Sequence, residues 1–212
     1  MKKLLVVLFS LLQFGATKPT VEPTDPAELH DFLFNQACAL VKPYLFLNGE
    51  TPKDATSRKA KAEIEKGIGL FERVLLMNPQ NWGAAWFAGK AAQSLGDQER
   101  AYRFFRRSYA LQQQNPDVTR ELMITCMETN RAKEAVPLAQ EAVRLNDSDP
   151  GLKANLGLAL LCSGDLVGAE AAVDAALKGD PHGQISLTLK RLIGEVKRGE
   201  RKQPKSPADL QD

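Results

Sequence analysis

The chain is poor in the residues that carry most side-chain chemistry. Its 212 residues include only two histidines and three cysteines, and aromatic residues make up 7%. Cys38, Cys126 and Cys162 are an odd number at wide spacing, with no C-x-x-C pair. Neither a disulfide framework nor a zinc-type site is therefore expected. The net charge is only +2, which excludes the strong basic field that draws nucleic acid. The N-terminal apolar run, Leu4 to Leu12, is too short to span a bilayer comfortably, so no stable membrane span is expected. What is present is the balance of a globular protein, 43% hydrophobic and 25% charged. Ala, Leu and long charged side chains dominate, which favours helices over strands.

Residues 1–17 stand apart. Lys2 and Lys3 precede the apolar run, and the pattern reads as a secretory signal peptide. Cleavage after Ala16 would place Phe14 where a small residue is preferred, so the alternative is an apolar N-terminal helix retained on the chain. A secreted or periplasmic protein is expected in the first case and a cytoplasmic one in the second. Residues 18–24, with two prolines, read as an extended linker.

The strongest feature is internal repetition. Ala101, Ala135 and Ala169 recur every 34 residues, as do Phe105, Ala139 and Val173. The pairs Gly96-Asp97, Asn130-Arg131 and Gly164-Asp165 keep the same spacing. Such a period fits two helices joined by a tight turn, neither of which can bury its face alone. Gly or Asn at the turn tolerates positive φ, and the Asp after Gly96 and Gly164 can cap the following helix. Asn78-Pro79, Asn115-Pro116, Asp149-Pro150 and Asp180-Pro181 punctuate the units.

These residues resemble the tetratricopeptide repeat family. The third unit carries Leu156-Gly157, Gly164-Asp165, Ala169, Ala176 and Asp180-Pro181, and the first carries Ala88-Gly89, Gly96-Asp97, Ala101 and Phe105. The second departs at Met123, which stands where a small residue is usual and implies looser or shifted helix packing. The resemblance implies an all-α, right-handed superhelix of stacked helical hairpins over residues 25–198. Its units would be a divergent hairpin (25–80), repeats at about 82–115, 116–149 and 150–183, and a capping helix (184–198). The divergent hairpin would open at Asp25-Pro26 and end its first helix near Pro43. The polar tail, 199–212, is expected to lack structure.

Catalytic patterns are missing. His30 and His182 have no triad partner at a recognisable spacing. Gly83 to Lys90 fails as a phosphate loop because five residues separate the glycines and Ala91 replaces the Ser or Thr. Gly67-Ile68-Gly69 lacks the third glycine of a dinucleotide fingerprint. Cys126 and Cys162 read as small buried hydrophobes. Arg100, Arg103 and Arg107 form a stripe without interleaved aromatics, so it reads as a solvated face. No catalytic residue, cofactor or metal is expected.

In the family, first helices line a concave groove and second helices form its back. Carried over, the resemblance gives a protein-binding groove of Trp86, Lys90 and Gln93 from the first unit, Arg120, Ile124 and Met127 from the second, and Asn155, Leu158 and Leu161 from the third. Phe87, Glu121 and Ala154 lie on or beside the same faces. The family's clamp for a terminal carboxylate needs Lys and Asn at set positions, and here only Lys90 and Asn155 are suitable. The expected function is a non-catalytic interaction scaffold that binds a protein or peptide segment. The alternative is a cytoplasmic, chaperone-like protein that shields an apolar segment of a client.

Overall fold

Short polar residues set nearly every helix start. In the computed structural model, which describes residues 21–47 and 50–210, the side chains of Asp25, Ser57, Asn81, Asp97, Asn115, Asp149 and Asp165 each accept from a backbone N–H two or three residues on. Proline occupies the first helical position after Asp25, Asn115 and Asp149, where its missing N–H costs nothing. The helices that follow are α1 (Pro26–Val41), α2 (Arg58–Met77), α3 (Trp82–Ser94), α4 (Gln98–Leu111), α5 (Pro116–Glu128), α6 (Ala132–Leu145), α7 (Pro150–Ser163), α8 (Leu166–Gly179) and α9 (Gln184–Lys197). Short 3-10 turns cover Lys42–Tyr44 and Pro207–Leu210, and no strand occurs among the described residues. The leader-like run 1–17 and linker residues 18–20 lie outside the described residues.

Within each repeat the turn between helices is built alike. Gly96 and Gly164 take φ of 77° and 94°, and Asn130 takes 58°. In all three, the second residue of the turn pair donates to a carbonyl five residues back: Asp97 to Ala92 at 3.0 Å, Arg131 to Cys126 at 2.7 Å and Asp165 to Leu160 at 3.0 Å. This double turn satisfies carbonyls that the helix end would otherwise leave unpaired.

Consecutive helices pair as α1–α2, α3–α4, α5–α6 and α7–α8, and each pair packs on the next. Gly89 and Gly157 let two of the pairs close tightly: a Cβ added at Gly89 would lie 2.7 Å from the Phe105 ring, and one at Gly157 would lie 2.5 Å from Val173. The second repeat corrects the looser packing inferred from Met123. That side chain is wholly buried, and the position that Phe105 and Val173 fill elsewhere is Ala139. The bulk has moved from the second helix to the first, so a packed interface is kept.

One continuous core runs from α1 to α6 and takes in Ala159 of α7, and a second joins α7, α8 and α9, with Val136, Leu156 and Leu158 packed against both. Along the outer side, Arg100 reaches Glu65 at 2.8 Å and Glu72 at 3.3 Å, and Arg131 reaches Glu99 at 2.9 Å. Arg107 donates to the carbonyls of Leu75 and Pro79. Two members of the arginine stripe thus fasten α4 to α2.

The tail differs from its sequence expectation. From Gly199 to Leu210 the chain folds back, Pro204 is buried and Leu210 packs on the α7–α9 core.

Candidate functional site

The first helices α3, α5 and α7 place the groove candidates in register, and side-chain links between units tie those faces together. Lys90 Nζ lies 3.2 Å from both carboxylate oxygens of Glu121, with both side chains almost fully shielded. One turn on, Gln93 Nε2 donates to Thr125 Oγ1 at 3.4 Å, and Thr125 Oγ1 donates to the Glu121 carbonyl at 2.7 Å. Arg120 pairs within its own helix with Asp117 at 2.9 Å. Both cations among the groove candidates, Lys90 and Arg120, are therefore paired inside the chain. A buried pair such as Lys90–Glu121 is costly to break, because the remaining charge would be left in a low-dielectric site.

Between these polar links lie half-buried apolar side chains. Trp86, Ile124 and Leu158 all pack against the core yet keep part of their surface open. Trp86 meets Phe87 edge to face, with ring centroids 5.1 Å apart, and its Nε1 is shielded from solvent without an acceptor among the described residues. Asn155 is likewise half-exposed. Met127 and Leu161 behave differently: they are 1% and 0% exposed, so they belong to the core and are not open groove lining. The family resemblance put them on the inner face, but their burial depends on neighbours distant in sequence.

His30 and the three cysteines have structural surroundings. His30 Nδ1 lies 2.9 Å from Asp31, and its Nε2 lies 3.1 Å from the amide of Asn81, the residue that caps α3. His30 thereby ties α1 to the start of the next hairpin. All three thiols are free and buried. Burial pushes Cys126 up to about 12 and Cys38 and Cys162 up to about 11. Thiols held protonated in this way are poor nucleophiles. Among the described residues no cluster of His, Cys, Asp and Glu could hold a metal ion, and no helix is long and apolar enough to cross a membrane.

The site is thus a face of paired charges and half-open apolar positions on the first helices of a helical-hairpin solenoid. The tetratricopeptide repeat model matches residues 55–116 and 127–183, more than half of the chain, and the chain belongs to that family. In fold it is similar to YrrB, described as a TPR protein with an unusual peptide-binding site, at 21% identity and a TM-score of 0.59 over 80% of this chain and 86% of that one. It is also similar to MamA from Desulfovibrio magneticus RS-1, at 16% identity and a TM-score of 0.64 over 86% and 90% of the two chains. No curated protein matches the sequence.

Proposed function

We propose that this chain is a non-catalytic scaffold that holds an apolar segment of another protein along the inner face of α3, α5 and α7. The carrying observation is that Lys90 and Arg120 are already paired in the chain while Trp86, Ile124 and Leu158 stay partly open. A ligand recognised by charge would have to break the Lys90–Glu121 pair. One with aliphatic or aromatic side chains needs only to cover surface already in place, at about 25 cal/mol per Å² of apolar area removed from water. Membership of the repeat family and likeness to YrrB, whose description names a peptide-binding site, support a groove that takes a segment of chain. A terminal-carboxylate clamp is disfavoured because its one suitable lysine is engaged by Glu121.

The test is selection of a random-peptide phage library on the full chain. Enriched peptides should carry spaced apolar anchors, and binding should alter the fluorescence of Trp82 or Trp86. Trp86→Ala and Ile124→Asp should each weaken the selected peptide at least tenfold, whereas Arg103→Glu on the exposed back should not. Peptides that bind all three variants equally well would place the interface elsewhere.

Export is part of the same proposal and rests on the leader-like run 1–17. Intact mass by cell fraction decides it. A mature chain that starts near Lys18 supports an exported scaffold, and a retained leader in the cytosol moves the chaperone-like alternative ahead.

A further inference from the structure

The tail beyond α9 has a defined course that begins with a local signal. Gly199 takes φ of 74°, and Glu200 N–H donates to the Glu195 carbonyl at 2.9 Å while Gly199 N–H donates to Val196 at 3.0 Å. This is the same double turn that joins the two helices within each repeat, and here it sends the chain back toward the first helices instead of onward. Asp209 then ties the returning segment into a loop, its carboxylate accepting from the N–H groups of Lys205 at 2.8 Å and Ser206 at 3.0 Å. Arg201 donates to the Asp209 carbonyl at 3.2 Å and to Glu195 at 3.3 Å, which braces the loop against α9.

Where the loop lands matters more. The Gln203 side-chain amide donates to the main-chain carbonyl of Leu161, near the end of α7. Pro204 beside it is buried, Leu210 packs on the α7–α9 core, and the 3-10 turn Pro207–Leu210 touches α5. Both helices reached, α5 and α7, are first helices. Leu161 lies one turn beyond the half-open Leu158 on the same helix, and the next residue, Cys162, is only 7% exposed, with the Asp209 carboxylate raising its thiol further.

We propose that residues 200–210 are a built-in occupant of the C-terminal end of the inner face, a strap that a partner segment must displace to use the whole groove. This rests on the groove reading above in one respect only, that a partner lies along the first helices. The strap is made to be exchangeable. It is polar, holds two prolines between Gln203 and Pro207, and buries Pro204 while Lys202, Lys205 and Asp209 stay exposed. A segment with so few buried apolar contacts opens at far lower cost than the repeats beneath it. Tethering still favours it, because a short linker gives it an effective concentration on the order of millimolar.

The test uses the full chain and needs no partner. Cys162 should react with a thiol-specific disulfide reagent at least tenfold faster in the double variant Gln203→Ala, Leu210→Asp than in the native chain, with labelled sites identified by mass spectrometry. Cys38 and Cys126, buried elsewhere, should stay unlabelled and so report an intact fold. Gly199→Val keeps every tail side chain but removes the residue suited to the reversal, and carries the same expectation should the double variant label all three thiols. A fluorescent peptide of residues 201–212 (RKQPKSPADLQD) should bind the strap-released chain at least tenfold more tightly than the native one. Unchanged Cys162 labelling in Gly199→Val, or equal peptide binding to both chains, overturns the proposal. Neither measurement involves Trp86 or a selected peptide, so the strap and the groove reading can fail independently.

Discussion

At the scale of residues, the repeats solve one packing problem in two ways. Gly89 faces Phe105 and Gly157 faces Val173, whereas the middle repeat pairs the position of Met123 with that of Ala139. Gly89→Met alone should drive the new side chain into the Phe105 ring and cost about 1–3 kcal/mol. Adding Phe105→Ala, which copies the middle repeat, should recover part of that loss in urea unfolding. Strictly additive effects would show that the two positions do not share space. The thiols give a pH prediction with a definite sign. Cys126 is pushed from 9.0 up to about 12 by burial. Above pH 9 the unfolded chain therefore releases a proton that the folded chain keeps. Stability from this group is complete below that point and is lost as pH rises toward the folded value, with a slope of about 1.4 kcal/mol per unit. Replacing Cys126 with Ala should make the urea midpoint fall less steeply with pH from about 9 upward.

At the scale of elements, caps and turns carry the architecture and were also the most legible signals. Asp25, Asn115 and Asp149 before proline, and the turn pairs at Gly96, Asn130 and Gly164, act within five residues of themselves. Their effect therefore depends little on the rest of the fold. Gly164 at φ 94° holds a left-handed backbone that strains any residue with a Cβ even though the space around it is open, so Gly164→Ala should cost about 1–2 kcal/mol. Asn130 holds the equivalent position with a side chain, and Asn130→Gly should raise the melting temperature slightly. A drop in both variants would mean that the Asn130 side chain contributes more than its tolerance of positive φ. Less legible was the rotation of each helix. The resemblance placed Met127 and Leu161 with Ile124 and Leu158 on one face. Whether an inner-face residue is open or covered depends on the helix and tail packed over it, which local pattern does not encode.

At the scale of the whole molecule, the chain is a one-dimensional stack, and α9 closes its C-terminal end over the α7–α8 hairpin. Leu192 is almost fully buried there, and Leu192→Ala should cost about 2–5 kcal/mol. In a stack the loss should be local. Amide exchange should quicken first in α7 to α9 and last in α1 to α4, while uniform acceleration would show that the stack unfolds as a single unit. The sequence by itself determined the repeat, the proline-marked helix starts, the positive-φ turns and the absence of recognisable catalytic motifs, because each follows from spacing or from interactions within one or two turns. Only the tertiary structure decided that Met123 packs closed, that Lys90 is held by Glu121, 31 residues on, and that the polar tail returns to Leu161, 42 residues before Gln203. Those outcomes depend on volume, charge and carbonyl groups brought together from separate units. A tail read for its low hydrophobicity gives no sign of the acceptor waiting for it at the end of α7.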